Sequence, residues 1–373
     1  MIRYVVVDHL TKSQLNQIII LFKKNFPGNI KKLEKFFFIA LKNTKSQKWI
    51  LALLKNKICG ALLLKFKTMN YQGTNLKVCG MSYMAVENKI QKSNVAKNII
   101  NLLIKNSKKY DLILGFARKK LDGYYVPYDF VGSTDFGTLT INTLYIKTYD
   151  PYSSVKIENI KEKNISKINK LYKLNDLFIT GNFIRKQSDF KKHLINNSLF
   201  KSKVFKKNGI IIGYIVFKEN IIYEIRVNPK YYFECSFSLK KYFLKKSFEQ
   251  INFSTNLNDP FLRYLSKFSH QLSTRHTFEG GHIIRIVNIE KLLNKLKPMI
   301  KKKLLNLGIN KLSLNYEGLI IIFKNKKLNY KFSKKININL ITKLIFGIIP
   351  NNDQKLETLF GNTQTQFPIL DHF

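Results

Sequence analysis

Apolar positions in the first 150 residues switch repeatedly between a two-residue and a 3.6-residue period. Residues 4–7 read as a strand and 14–22 as an amphipathic helix, with a second helix predicted over 30–41 after the Pro27-Gly28 turn. Three strands follow, at 49–54, 58–66 and 76–86. Lys55-Asn56-Lys57 is short enough for a hairpin, and residues 70–75 make a second turn around Gly73. A helix over 95–108 carries Val95, Ile99, Leu102 and Leu103 on one stripe; a strand at 111–116, a helical turn at 119–124 and a strand at 139–146 come next. An antiparallel meander feeding a βα unit predicts mixed α/β layers.

The middle of the chain starts the pattern again. Helix 160–174, strands 203–205, 210–217 and 221–227, helix 237–249 and strand 250–254 echo the order of the first third, as a diverged duplication would. Strand 282–287 then leads into amphipathic 289–305, strands 311–315 and 319–323, and helix 338–345. With the turn-rich stretch 150–154 as the first boundary, three units are predicted: 1–150, 151–288 and 289–373. No Gly/Ser linker separates them, so they are expected to pack together.

Composition narrows the class. The 373 residues are 45% hydrophobic and 13% aromatic, which excludes global disorder and leaves room for two or three cores. No apolar run approaches the roughly 20 residues of a spanning helix, and Asp8 interrupts the short apolar run near the N-terminus, unlike a signal peptide. Cys59, Cys79 and Cys235 form neither a disulfide framework nor a metal spacing, and the six histidines are dispersed. A reducing cytoplasm and no metal are the expectation. The net charge of +42 invites a nucleic-acid reading. Only seven of the 65 basic residues are arginine, however, and the lysines are scattered. That pattern reads as a solvated surface with no specific nucleic-acid partner, whose field favours anionic ligands such as a phosphate-bearing cofactor.

The chemistry centres on Met81-Ser82-Tyr83-Met84-Ala85-Val86 and the polar loop Gln91-Lys92-Ser93-Asn94-Val95-Ala96. A strand running into a short loop that opens a helix is an anion cradle, because loop amides and the helix N-terminus aim free N–H groups at one point. Here the chain resembles the GNAT acetyltransferase superfamily, whose pyrophosphate loop reads Gln/Arg-x-x-Gly-x-Gly/Ala five residues after a strand-ending valine. Val86 and Gln91 have that separation, and Gln91, Asn94 and Ala96 take the motif positions. The resemblance implies that amides of Gln91, Lys92, Ser93, Asn94, Val95 and Ala96 hold the pyrophosphate of acetyl-CoA. It also implies that the backbone of Met84, Ala85 and Val86 pairs with the pantetheine arm and supplies an oxyanion donor. Asn94 replaces the usual glycine and Lys92 a frequent second one; asparagine tolerates a left-handed backbone. Tyr125 stands five residues before Phe130, the family's spacing for a tyrosine that protonates the departing thiolate. Glu87, Asp122 and Asp129 are the nearby carboxylates for a base.

The whole chain resembles the enhanced-intracellular-survival type: two GNAT-like mixed sheets flanked by helices, then a small α+β domain like a sterol carrier protein. In that type the C-terminal carboxylate serves as base, which implies this role for Phe373. The middle unit's predicted loop, Asn228 to Cys235, is bulky and is expected to hold no cofactor. The implied activity is acetyl transfer from acetyl-CoA to a primary amine of a small molecule, an amino sugar or an aminoglycoside-like compound. A protein-lysine or peptidoglycan-type acyl or aminoacyl transferase, or a non-catalytic CoA- or anion-binding module, are the alternatives, and a homo-oligomer is compatible with either.

Overall fold

A computed structural model of the chain describes residues 1–26, 46–90, 93–117, 121–133, 136–143, 154–176, 181–197, 199–255, 259–275, 281–346 and 359–360. Strand β1 (Ile2–Val7) leads to helix α1 (Lys12–Asn25), which starts at a capping box: Thr11 Oγ1 accepts from the Gln14 amide, and Gln14 Oε1 accepts from the Thr11 amide. The predicted helix over 30–41 lies outside the described residues. Strands β2 (Gln47–Leu54), β3 (Lys57–Tyr71) and β4 (Thr74–Val86) form the expected meander. Both of its hairpins turn on two residues with positive φ: Lys55 and Asn56 at 47° and 62°, Gln72 and Gly73 at 48° and 85°. This is the turn geometry that matches the twist of paired strands.

Helix α2 (Val95–Asn106), strand β5 (Leu112–Ala117), the single turn α3 (Asp122–Tyr125), β6 (Val131–Ser133) and β7 (Phe136–Asn142) continue the chain. The second round comprises β8 (Lys156–Asn159), α4 (Ile165–Asp176), α5 (Gln187–Leu194), β9 (Lys201–Lys207), β10 (Ile210–Lys218), β11 (Ile221–Val227), α6 (Tyr232–Leu244), β12 (Gln250–Thr255), α7 (Pro260–Leu265) and β13 (His270–Arg275). Last come β14 (Gly281–Ile286), α8 (Ile289–Asn306), the meander β15 (Lys311–Tyr316), β16 (Leu319–Lys324) and β17 (Lys327–Phe332), and α9 (Ile338–Ile345).

These strands make two large mixed sheets and one small one: β1-β2-β3-β4-β5-β14-β6, β13-β7-β12-β11-β10-β9-β8 and β15-β16-β17. The two large sheets exchange strands. β7, from the first 150 residues, pairs with β12 and β13 of the second sheet, and β14 returns to pair with β5 and β6 of the first. On the first sheet, α2 covers one face through Val95, Ile99 and Leu103. The opposite face is shared by α1, packed on Trp49, Leu51 and Leu63, and by α8, α9 and the third sheet, packed on Val78, Leu114 and Ile284. One expectation needs correction. Residues 228–235 are not a loop: a 3-10 turn opens at Pro229, and α6 already includes Tyr232 to Leu244, ending five residues before the predicted 249. Its first turn buries Cys235 in the second core, so the bulky side chains there are helix packing rather than loop.

Candidate functional site

Strands β4 and β5 run parallel but stay together only briefly. Val78–Gly80 pair with Leu112–Leu114, and beyond that point the two strands part. Two local features force the opening. The β3–β4 register slips between Ala61 and Leu63, a bulge that places Tyr83 in the left-handed region at φ 52°. On the other strand Gly115 leaves space for Met81: a Cβ there would lie 2.5 Å from Met81 Cε and 2.7 Å from its Cγ. The result is a wedge whose β4 wall, residues Ser82 to Val86, has no ladder partner on the β5 side.

The wedge ends at the predicted cradle. The Glu87 amide donates to the Cys59 carbonyl at 2.8 Å, which closes β4, and residues 88–90 form a 3-10 turn. Both the amide and the hydroxyl of Ser93 donate to the Ile90 carbonyl. Asn94 then enters α2 at φ 59° and ψ 12°, and its side chain makes no capping bond. The first-turn amides of Val95, Ala96 and Lys97 therefore have no acceptor within the helix, and the positive dipole end is uncapped. Gly60 sets how close this helix end comes to the sheet, since a Cβ there would meet Val95 and Ile99 at 3.1 Å each. Gln91 and Lys92 lie outside the described residues. The left-handed backbone explains why asparagine can stand at position 94. Asn94→Val is expected to lose about 1–2 kcal/mol in thermal unfolding, whereas Asn94→Gly keeps full stability.

Tyr125 ends α3 near the end of β5 and is buried, 7% exposed. Phe130 meets its ring at 5.8 Å and Tyr124 at 5.5 Å, both edge-on. The turn that carries it is fastened from a distant part of the chain: Arg285 of β14 donates to the Tyr128 carbonyl at 2.8 Å and pairs with Asp129 at 3.3 Å. That ion pair makes Asp129 an anchor and removes it as a free base. Glu87 is half-buried at the end of β4; the Asp122 side chain and the whole of Phe373 lie outside the described residues. Burial pushes the Cys79 thiol up to about 11 and raises Cys59 and Cys235 as well, so none of the three is a thiolate near neutrality. No cluster of metal-ligating side chains occurs among the described residues.

The sequence reading passed over Ser82. It is 5% exposed, lies two residues past Gly80, the last residue of β4 paired with β5, and its hydroxyl has no hydrogen-bond partner among the described residues. A lone serine in the apolar run from Val78 to Val86 was the available signal. Burying it unpaired is costly unless something else meets it there.

The second sheet repeats the wedge and fills it. β11 and β12 pair only at Ile221–Asn252 and Ile222–Phe253. Beyond these, β11 carries buried Glu224 and Arg226. Arg185 grips Glu224 through two bonds of 2.8 and 2.7 Å, Tyr214 donates to the same carboxylate at 2.7 Å, and Arg226 reaches Asp259 and Asn182 at 3.1 Å each. The chain just before Arg185 pairs with the end of β3: Asn182, Asn70, Gly181, Ile184 and Thr68 share three backbone bonds of 2.8 Å.

Comparison with solved structures places this fold. The chain matches a probable N-acyltransferase from Enterococcus faecalis over 100% of both chains, with a TM-score of 0.70 and 13% identity. It matches Eis1 from Mycobacterium abscessus over 100% of both, with a TM-score of 0.62 and 10% identity. The N-myristoyltransferase of Saccharomyces cerevisiae with bound myristoyl-CoA aligns over 76% of this chain and 82% of its own, at a TM-score of 0.50 and 12% identity. The chain thus has the tandem GNAT fold of the Eis type. No protein-family profile and no curated protein sequence matches it.

Proposed function

We propose that the protein is an acetyl-CoA-dependent N-acetyltransferase that acylates a primary amine of a small molecule by direct attack. The observation that carries this reading is the β4–β5 wedge ending at an uncapped helix whose first residue is preceded by left-handed Asn94. The free side of Met84, Ala85 and Val86 suits the amide-bearing arm of a CoA thioester, and the α2 amides suit its pyrophosphate. The yeast enzyme with myristoyl-CoA supports a CoA thioester as donor on this fold.

In this reaction the amine nitrogen forms a bond to the thioester carbonyl and the carbon–sulfur bond breaks. The backbone amide of Ala85 or Val86 faces the developing oxyanion. Tyr125 gives its phenolic proton to the departing thiolate, the surplus amine proton leaves to water, and water returns a proton to the tyrosinate. Ser82 offers its unpaired hydroxyl to the wedge, where it orients the attacking amine. Isothermal titration of acetyl-CoA at moderate salt, with 3′-phosphoadenosine as control, tests the reading. Saturable binding much tighter than the control is expected. No binding would hand the protein to a non-catalytic role.

A further inference from the structure

The wedge has a closed end as well as an open one. Val78–Gly80 pair with Leu112–Leu114, and the strands part at the next residue of each, Met81 on β4 and Gly115 on β5. Side chains alternate along a strand, and both positions face α2, whose core takes Cys79 and Met81 from β4 and Ile113 and Ala117 from β5. The Met81 side chain reaches across to the facing strand. A Cβ at Gly115 would lie 2.5 Å from its Cε, 2.7 Å from its Cγ and 3.2 Å from its Sδ. Three atoms of one side chain thus occupy the space where a β5 side chain would stand. Met81 is a bar across the closed end, and it can lie there because position 115 is glycine.

The direction of the donor follows from the reading above. Its pyrophosphate belongs at the α2 amides and its arm along Val86, Ala85 and Met84 in that order, which carries the thioester toward the closed end. The acyl group is the last part of the donor, so it points at Met81. The fold alone sets no limit on acyl length, since the yeast N-myristoyltransferase holds myristoyl-CoA on it. In this chain the limit comes from a side chain. Met81 is 5% exposed and packed in the α2 core, so it cannot swing aside without leaving a void or overpacking its neighbours.

We propose that Met81, laid over Gly115, sets the acyl length of the donor site, which takes an acetyl thioester and excludes medium-chain ones. This deepens the acetyltransferase reading and rests on it. The test is isothermal titration of wild type, Met81→Ala and Met81→Leu with acetyl-CoA and with hexanoyl-CoA, and the quantity read is the ratio of the two Kd values. Wild type is expected to bind hexanoyl-CoA at least about tenfold more weakly, the scale on which a filled pocket discriminates methylenes. Met81→Ala should shrink that ratio about tenfold, and Met81→Leu, which conserves volume, should keep it. A side chain that only supports the core would weaken both thioesters together and leave the ratio unmoved. If thermal unfolding shows that Met81→Ala does not fold, Met81→Val removes less volume and is read in the same way. Equal affinity of wild type for the two thioesters, or a ratio that the smaller side chain leaves unchanged, would overturn the length limit while acetyl-CoA binding keeps the enzyme reading. Absence of acetyl-CoA binding to wild type would remove the two together.

Discussion

Tyr125→Phe is expected to lower turnover by about a hundred- to ten-thousand-fold, the range ascribed to a positioned general acid, and to leave acetyl-CoA affinity where it was. The variant is chosen because it deletes one oxygen and nothing else. The ring keeps its edge contacts with Phe130 and Tyr124, and the Arg285 bonds that fasten the following turn go to the Tyr128 carbonyl and the Asp129 carboxylate, not to Tyr125. Folding and donor binding should therefore survive, which circular dichroism and the acetyl-CoA titration verify. A thiolate that must leave without a proton is a poorer leaving group, so the loss belongs in kcat and equally in kcat/KM. Unchanged turnover would take Tyr125 out of the mechanism and leave it as a packing residue of the α2 core.

How much of this could be read from the chain depends on how local each signal is. The first meander was legible because its hairpin turns, Lys55-Asn56 and Gln72-Gly73, and its apolar runs are contiguous. Helix α2 was legible from its stripe, and the left-handed backbone at Asn94 from its place where the resembled loop carries a glycine. Weaker elements escaped. β17, Lys-Leu-Asn-Tyr-Lys-Phe, alternates correctly but buries only Leu328, and β13 exposes Leu272 at a sheet edge. The strand exchange could not be read at all, since nothing in residues 136–142 or 281–286 names a partner more than 100 positions away. Long-range pairing is decided by packing of whole faces, not by local propensity. The same limit hid Arg285, whose partners lie 156 and 157 residues earlier. It hid the second wedge too, where Asn182, Arg185, Glu224, Arg226 and Asp259 meet from three separate segments.

That buried network carries the largest expected effect on stability. Glu224 is 2% exposed and Arg185 4%. Burial alone would raise the Glu224 carboxyl, but the adjoining Arg185 guanidinium and its two hydrogen bonds outweigh burial and hold it below the ordinary carboxylate range. Glu224→Leu leaves a guanidinium that cannot give up its proton, and a Tyr214 hydroxyl without its acceptor. A loss of about 3–5 kcal/mol in urea unfolding is expected. The double variant Arg185→Leu with Glu224→Leu should regain most of it, because the unpaired charge is then gone. The sign with pH follows from the lowered carboxyl. Its contribution is present at neutral pH and is lost as pH falls below the ordinary value of about 4.3, so wild-type stability should fall more steeply there than that of Glu224→Gln. Asp259 moves the other way, since burial outweighs Arg226 and raises it, and only the difference between those two curves isolates Glu224. Hydrogen exchange then shows what the network holds. The Asn70, Gly181 and Ile184 amides, which join the second unit to β3, should lose protection in Glu224→Gln before the amides of β10 do. Uniform loss across both groups would mean that the network stabilises the second core and nothing at its junction with the first.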